Sequence, residues 1–153
     1  MPIVPALPPQ MLTSKGGFDY VTVDAQHRRV YAAHGGAKAL LVVDADSGKV
    51  LATPAIGDGV DATAYDDETG LAFASAGGDA KMTVVQSSGG DKYAVVETPL
   101  TQKGARTMAL DTKTHNIYLV TAEFGPRPAP TAQNPHPRPS IVPGSFVVLV
   151  MGK

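Results

Sequence analysis

Three polar residues occupy equivalent positions in three similar segments of the 153-residue chain. Asp19, Asp61 and Arg106 each precede, by the same interval, an aspartate that closes a short apolar stretch. Two carboxylates and a guanidinium group held together could bind an anion, a cation or a polar ligand. The same groups could instead anchor loops, with Asp accepting backbone N–H groups and Arg pairing with Asp. Both interpretations remain open from the sequence alone.

Two further residues extend this candidate site. His34 precedes a Gly-Gly pair, and Glu123 follows an apolar stretch of the third segment. As a metal ligand His34 would need at least two partners, for which Asp19, Glu123 or a second copy of His34 are the candidates. No His-x-His or His-x-x-x-His spacing supports this, and no nucleophile adjoins His34 for general-base catalysis. The ligand-binding prediction therefore comprises Asp19, His34, Asp61, Arg106 and Glu123, with no resident metal and no assigned catalytic residue.

An internal repeat supplies the elements that must position these side chains. The aspartates that close the matching first strands, Asp24, Asp66 and Asp111, are spaced 42 and 45 residues apart. Seven residues after each one stands an aromatic residue within a second apolar strand, namely Tyr31, Phe73 and Tyr118. A period of about 40–45 residues is typical of a four-stranded propeller blade. The predicted fold class is therefore all-β, with three four-stranded antiparallel β-propeller blades per chain.

The predicted blades divide the chain, 1–153, into one propeller segment. Blade one spans 18–57, blade two 58–102 and blade three 103–153. Blade three reaches only its third strand, Phe146–Val150, before the sequence ends. The segment Ile3–Leu7 has no other assignment, and we expect it to supply the outer strand of a neighbouring blade.

Three blades are fewer than the four to eight that commonly close a propeller. Exposed blade faces and strand edges promote association. Reciprocal exchange of Ile3–Leu7 between two copies would give a homodimeric ring of six blades with two-fold symmetry. A higher ring and a fragment of a longer propeller are the alternatives, so the partner that the sequence predicts is a second copy of the chain.

Several stretches carry a family resemblance. The segments 18–24, 28–31 and 34–36, together with 41–50, are similar to a YVTN-type (YncE-like) β-propeller blade, and 104–126 resembles the last blade of that family. The resemblance implies a propeller fold and a protein that is often exported. It also implies a relationship to lactonase-like propellers, although members usually have about seven blades. Fold analogy alone assigns no activity.

Composition narrows the classes of partner. The net charge is −1 and no basic stripe is present, so nucleic acid is not an expected partner. The absence of cysteine excludes disulfides and thiolate sites. No apolar run approaches the ~20 residues that span a bilayer, and the first residues lack the pattern of a signal peptide. We expect no membrane association, and the compartment remains open.

A Pro-rich insertion at 125–144 interrupts blade three. Proline cannot donate to a strand ladder, so a loop is expected here. It could be a lid or partner-binding arm with Arg127, His136 and Arg138 as contacts, or a stiff strap that covers the seam of the ring.

These observations favour a non-enzymatic, self-assembling binding or scaffold module with a polar ligand or partner face. The alternative is a lactonase-like hydrolase with a metal in the central channel. A hard cation such as Ca²⁺ would suit the carboxylates and is the only cofactor considered. A purely structural assembly is the third class.

Overall fold

The computed structural model describes residues 16–152. The predicted outer strand Ile3–Leu7 lies outside the described residues. Within 16–152 the regular structure consists of β-strands and one 3-10 turn, Gly35–Ala37, with no α-helix. The prediction of an all-β class is confirmed. No helix in this part of the chain is long and apolar enough to cross a membrane.

The described residues form three antiparallel sheets. Sheet 1 contains β1 Val21–Asp24, β2 Arg29–His34, β3 Ala39–Asp44 and β4 Val50–Ala52. Sheet 2 contains β5 Val60–Asp66, β6 Leu71–Ala76, β7 Lys81–Gly89 and β8 Lys92–Glu97. Sheet 3 contains β9 Met108–Asp111, β10 Asn116–Thr121 and β11 Val147–Met151. In each sheet, strands that are consecutive in sequence are hydrogen-bonded neighbours.

The fourth strands are shorter than the sequence indicates. The repeat predicts fourth strands over 50–56 and 93–100, yet β4 ends at Ala52 and β8 at Glu97. Each is followed two residues later by a proline, Pro54 or Pro99, which has no N–H to continue the ladder. Pairing resumes just beyond, through single bridges at Ala55 and Leu100.

The turn after each first strand has the same geometry in all three sheets. Its last residue adopts a left-handed conformation, with φ of 57° at Arg28, 69° at Gly70 and 59° at His115. In sheets 2 and 3 the N–H of that residue donates to the C=O of the closing aspartate at 2.8 Å. Glycine accepts this conformation at no steric cost, whereas arginine and histidine are held there by the turn.

Sheet 2 lies between the other two sheets. Its first strand, β5, is in contact with both β1 and β9. One core lies between sheets 1 and 2, where the Tyr31 and Tyr65 rings stack with centroids 5.1 Å apart. The other lies between sheets 2 and 3 and includes Phe73, Val84 and Leu119. Full burial of one such side chain stabilises the fold by about 1.5–3 kcal/mol.

We call the side of a sheet that carries its closing aspartate the forward face, and the opposite side the rear face. The forward face of sheet 1 packs on the rear face of sheet 2, whose forward face packs on the rear face of sheet 3. Among the described residues, nothing covers two faces. They are the rear face of sheet 1, defined by Val21, Val23, Val30 and Leu41, and the forward face of sheet 3, defined by Asp111, Tyr118, Val148 and Val150.

Candidate functional site

Asp61 is the centre of the predicted polar site. It is the second residue of β5, the strand between β1 and β9, and only 8% of its surface is exposed. The Thr107 hydroxyl donates to Asp61 Oδ2 at 3.1 Å, and Arg106 Nε lies 3.9 Å from Oδ1. The Asp61 C=O accepts from the Tyr20 N–H at 3.1 Å. Asp61 thus connects the segments that lead into all three sheets.

Asp19 and Arg106 complete the group from either side of Asp61. Both side chains are exposed, and Asp19 donates its backbone N–H to the Ala33 C=O at 3.0 Å. Partial desolvation raises the pKa of Asp19, the nearby Asp61 carboxylate raises it further, and Arg106 opposes both effects. The three residues therefore form one electrostatic group, in which the second carboxylate favours the protonated form of Asp19.

Close backbone approaches hold this end of the molecule together. A Cβ on Gly59, which has φ of +65°, would lie 2.7 Å from Gly78 N. A Cβ on Gly16 would lie 2.2 Å from Gly36 Cα. Because these positions are glycine, the segments before β1 and β5 can contact the loops after β2 and β6. These contacts place Asp19 and Asp61 at the same end of the molecule.

His34 is the last residue of β2 and has a local structural role. Its Nδ1 accepts the Ala37 N–H at 3.1 Å and so caps the 3-10 turn Gly35–Ala37. Because Nδ1 acts as an acceptor, the neutral ring carries its proton on Nε2.

Glu123 stands at the base of the Pro-rich loop. Its backbone N–H donates to Ser145 Oγ at 2.9 Å, and its C=O accepts from the Val142 N–H at 2.9 Å. The carboxylate is exposed. Of the five predicted residues, Asp61 and Arg106 are therefore in contact and both influence Asp19 electrostatically. His34, at the end of β2, and Glu123, at the base of the Pro-rich loop, make separate local contacts.

The Pro-rich loop is closed at its base by a bridge between Phe124 and Ile141. Arg127, His136 and Arg138, the predicted contacts, are all exposed.

The described residues offer few metal ligands. Among residues 16–152 there is no group of three or more His, Asp or Glu side chains that could hold a metal ion. Asp19 and Asp61 alone provide two carboxylates, fewer than the six to eight oxygen ligands that Ca²⁺ takes. One chain could bind a cation here only with most of its ligands supplied by water or by other molecules.

The opposite end of the molecule, where the sequence predicts only polar turns, holds a network of hydrogen bonds. Asp24 and Asp66 are each 1% exposed. Burial opposes ionisation of both, but hydrogen bonds outweigh it and lower their pKa values. Asp24 is bonded by the His27 N–H and ring and by the Tyr65 hydroxyl, and Asp66 by Thr69 and by the His115 ring at 2.8 Å.

A second cluster at this end links sheets 1 and 2 through Arg29. Its guanidinium contacts Asp44 at 3.0 Å, Asp91 at 2.7 Å and the Tyr93 hydroxyl at 3.2 Å. It borders a cleft of about 590 Å³ that Tyr31 and Tyr65 also line. The charged groups of the cleft are paired with one another, so its chemistry is that of a structural contact.

An apolar cleft of about 570 Å³ lies between sheets 2 and 3. Met82 and Val84 of β7, Val96 of β8 and Met151 of β11 line it. In the contact between sheets 1 and 2, the fourth strand of sheet 1 touches β8. Sheet 3 has three strands in the described residues, and the cleft lies beside β11, its outer strand.

The chain matches none of the protein-family models and has no match among curated proteins. The description of the site therefore rests on the geometry given above.

Proposed function

We propose that this chain is a β-propeller segment, a short form of the YVTN type, that assembles with itself and presents a polar face to a ligand or partner. The observation that carries the proposal is the pair of uncovered faces. Each is built from positions whose repeat equivalents are buried core elsewhere in the chain.

The forward face of sheet 3 illustrates this equivalence. Val42, Val84 and Val150 each pair with the aromatic residue of the second strand of their sheet. Val42 is 0% exposed and Val84 4%, whereas Val150 is 57% exposed. Val150 would be buried if the rear face of another sheet packed on sheet 3, as the rear faces of sheets 2 and 3 pack on the sheets before them.

The rear face of sheet 1 is the matching surface. Val30 occupies the repeat position of Ala72 in sheet 2 and Ile117 in sheet 3, both of which are buried against the preceding sheet. In sheet 1, Val30 is partly exposed and its neighbour Val23 is half exposed. Sheet 3 of one copy and sheet 1 of another thus offer complementary apolar faces, and heterologous contacts of this kind form closed rings when the rotation between copies permits.

The lateral packing of the first strands supports a propeller arrangement. β5 is flanked by β1 and β9, with Asp61 bonded to Tyr20 on one side and to Thr107 on the other. In propellers the first strands line a central channel, and two copies would supply six such strands. The group of Asp19, Asp61 and Arg106 would then lie at the mouth of that channel.

Light scattering and native mass spectrometry over a range of concentrations test the assembly. We expect a particle of twice the 15.8 kDa chain mass that dissociates on dilution. A chain that stays monomeric at the highest soluble concentration would contradict the proposal.

The apolar cleft beside β11 supports strand exchange as the means of closure. An extended segment paired with β11 would cover Val96 and Met151 and complete a fourth strand. We propose Ile3–Leu7 of a second copy for this role. Deleting residues 1–9 should weaken association and destabilise sheet 3, as measured by light scattering and by hydrogen exchange of the β10 amides. Unchanged mass and protection would remove strand exchange from the proposal.

Binding at the polar face can be tested with simple probes. We expect Ca²⁺, acetate or ethylammonium to shift the amide resonances of Arg106 and Thr107, and Asp61→Asn to abolish the shift. The matched control is Asp91→Asn, at the other end of the molecule. Absence of any shift with all three probes would favour the purely structural class.

The hydrolase alternative requires a metal in the channel. Its support is limited to the two carboxylates of Asp19 and Asp61, which an assembled ring would bring together from each copy. A metal that stays bound through chelation and dialysis, measured by elemental analysis, would favour the enzyme over the binding module.

A further inference from the structure

The closing aspartates of sheets 1 and 2 accept a hydrogen bond from the sheet that follows. Asp24 accepts from the Tyr65 hydroxyl of sheet 2, and Asp66 from the His115 ring of sheet 3 at 2.8 Å. Both aspartates lie on the forward face of their sheets and are almost fully buried. A carboxylate at this position thus serves as the acceptor for a donor on the next sheet.

Asp111 is the third member of the series, and its surroundings differ. It lies on the forward face of sheet 3, across from Asn116. The Lys113 N–H donates to it at 3.0 Å and the Thr114 hydroxyl at 2.8 Å, both within its own turn. Asp111 is partly exposed to solvent, because no sheet follows sheet 3 among the described residues. Asp111 therefore has the environment of Asp66 without the donor that His115 provides.

The repeat identifies the residue that would provide such a donor. His115 is the left-handed residue that ends the turn after a first strand, and its equivalent in sheet 1 is Arg28. The two backbones match, with φ of 59° and 57°. Arg28 is more than half exposed and contacts Asp46 at 2.7 Å. Its partner Asp46 is also largely exposed, and exposed ion pairs of this kind are weak enough to exchange.

We propose that a second copy of this chain docks the rear face of its sheet 1 on the forward face of sheet 3, with Arg28 of that copy donating to Asp111. This inference rests on the proposed self-assembly and adds to it a defined partner and a defined contact. Charge complementarity favours a second copy as the occupant. The forward face of sheet 3 ends at the Asp111 carboxylate, and the rear face of sheet 1 ends at the Arg28 guanidinium. Arginine also presents a fork of donors that can bridge Asp111 and Asp46 together.

Two charge reversals test the contact. Asp111→Lys should leave two cations facing each other at every junction between identical chains, and Arg28→Asp should leave two carboxylates. We expect each variant alone to associate on the order of tenfold or more weakly than the unmodified chain. The residue at 28 adopts a left-handed conformation, which aspartate accepts more readily than most residues.

Mixing the two variants gives the decisive measurement. In a ring of one chain of each kind, the introduced lysine meets the introduced aspartate at one junction. The other junction retains Asp111 and Arg28. We therefore expect the mixture to recover the association of the unmodified chain, followed by native mass spectrometry with one variant isotopically labelled.

Controls separate this outcome from general damage to the fold. Asp46→Ala removes the intrachain partner of Arg28 and should leave association intact. Asp67→Lys makes the same charge change at an exposed residue in the corresponding turn of sheet 2, and should have little effect. If Asp111→Lys does not fold, as judged by circular dichroism, Asp111→Asn replaces it, with a smaller expected loss of association. Mixing it with Arg28→Asp should then give association stronger than that of Arg28→Asp alone, because one junction of the mixed ring retains Asp111 and Arg28.

The possible results separate the contact from the assembly. Variants that associate as well as the unmodified chain, or a mixture that fails to recover, would overturn the Arg28–Asp111 contact while the self-assembly stands. An unmodified chain that is monomeric under every condition would overturn both.

Discussion

Sheets 2 and 3 have the same strand connectivity over their first three strands but differ in what covers them. Sheet 2 lies between two neighbours, and its Met82 and Val84 are almost fully buried. The equivalent residues of sheet 3, Val148 and Val150, are about half exposed.

The difference shows that burial in this chain is decided between sheets rather than within them. A strand of either sheet carries apolar residues on both of its faces, as expected of strands that are covered on both sides. The sequence of sheet 3 is therefore that of an internal sheet, although no sheet follows it within residues 16–152. The following experiments test how far the two sheets differ in energy.

Removal of the carboxylate at the forward face should have the largest effect. Asp66→Ala would leave the His115 ring and the turn donors without the buried carboxylate that accepts from them. We expect a loss of about 2–3 kcal/mol in the free energy of unfolding. Asp111→Ala should cost clearly less, because the donors to Asp111 are exposed. Urea denaturation, at a dilution that gives a single chain, measures both. Equal losses would mean that Asp111 is already covered.

A matched series of valines tests the apolar part of the same comparison. Val84→Ala should reduce the free energy of unfolding by about 2 kcal/mol, since it removes buried methyl groups and leaves a cavity. Val150→Ala in the single chain should cost less than about 0.5 kcal/mol. When association is present, the cost of Val150→Ala should rise towards that of Val84→Ala. A constant small cost at all concentrations would contradict coverage of sheet 3 by another copy.

The pH dependence of stability should follow the buried aspartates. The pKa values of Asp24 and Asp66 are lowered in the folded chain relative to the unfolded value of about 3.9. Both therefore stabilise the fold above about pH 4, and this contribution is lost as the pH falls through their folded pKa values. In the combined Asp24→Asn and Asp66→Asn variant, the midpoint of thermal unfolding should fall less steeply as the pH is lowered below about 4. An unchanged pH dependence would show that other groups cause the loss of stability in acid.

The smallest effect is expected at the polar face. Thr107→Val removes one hydroxyl donor to Asp61 and should cost about 1 kcal/mol or less. The measurement is the shift of the thermal midpoint, with Thr101→Val as a control at a threonine outside the polar group. A loss as large as that of Asp66→Ala would identify the polar face as a structural centre rather than a binding surface.

Most of the strand pattern could be predicted from the sequence, because the repeat sets its own register. The matching aspartates and aromatics define the first two strands of each sheet, and the same repeat places Asp19, Asp61 and Arg106 at equivalent positions. The early ends of β4 and β8 were missed, although Pro54 and Pro99 supplied the signal.

The contacts between sheets could not be predicted in this way. Whether His115 reaches Asp66, or His34 turns towards its own loop, depends on the angle between sheets and on local loop conformation. Periodicity carries no information on either. The closing aspartates mark the repeat, and their regular recurrence is also the sequence signal of a shared structural role.

The two uncovered faces lie on the first and last sheets and are different from each other. A contact between them has a direction, so each added copy presents at its free end the same face that the previous copy presented. Such a series stops growing only when the turn between copies brings the last chain back to the first. The angle between adjacent sheets depends on contacts such as those of Asp61 with Tyr20 and Thr107. Substitutions there could convert a closed particle into a growing filament without altering either face.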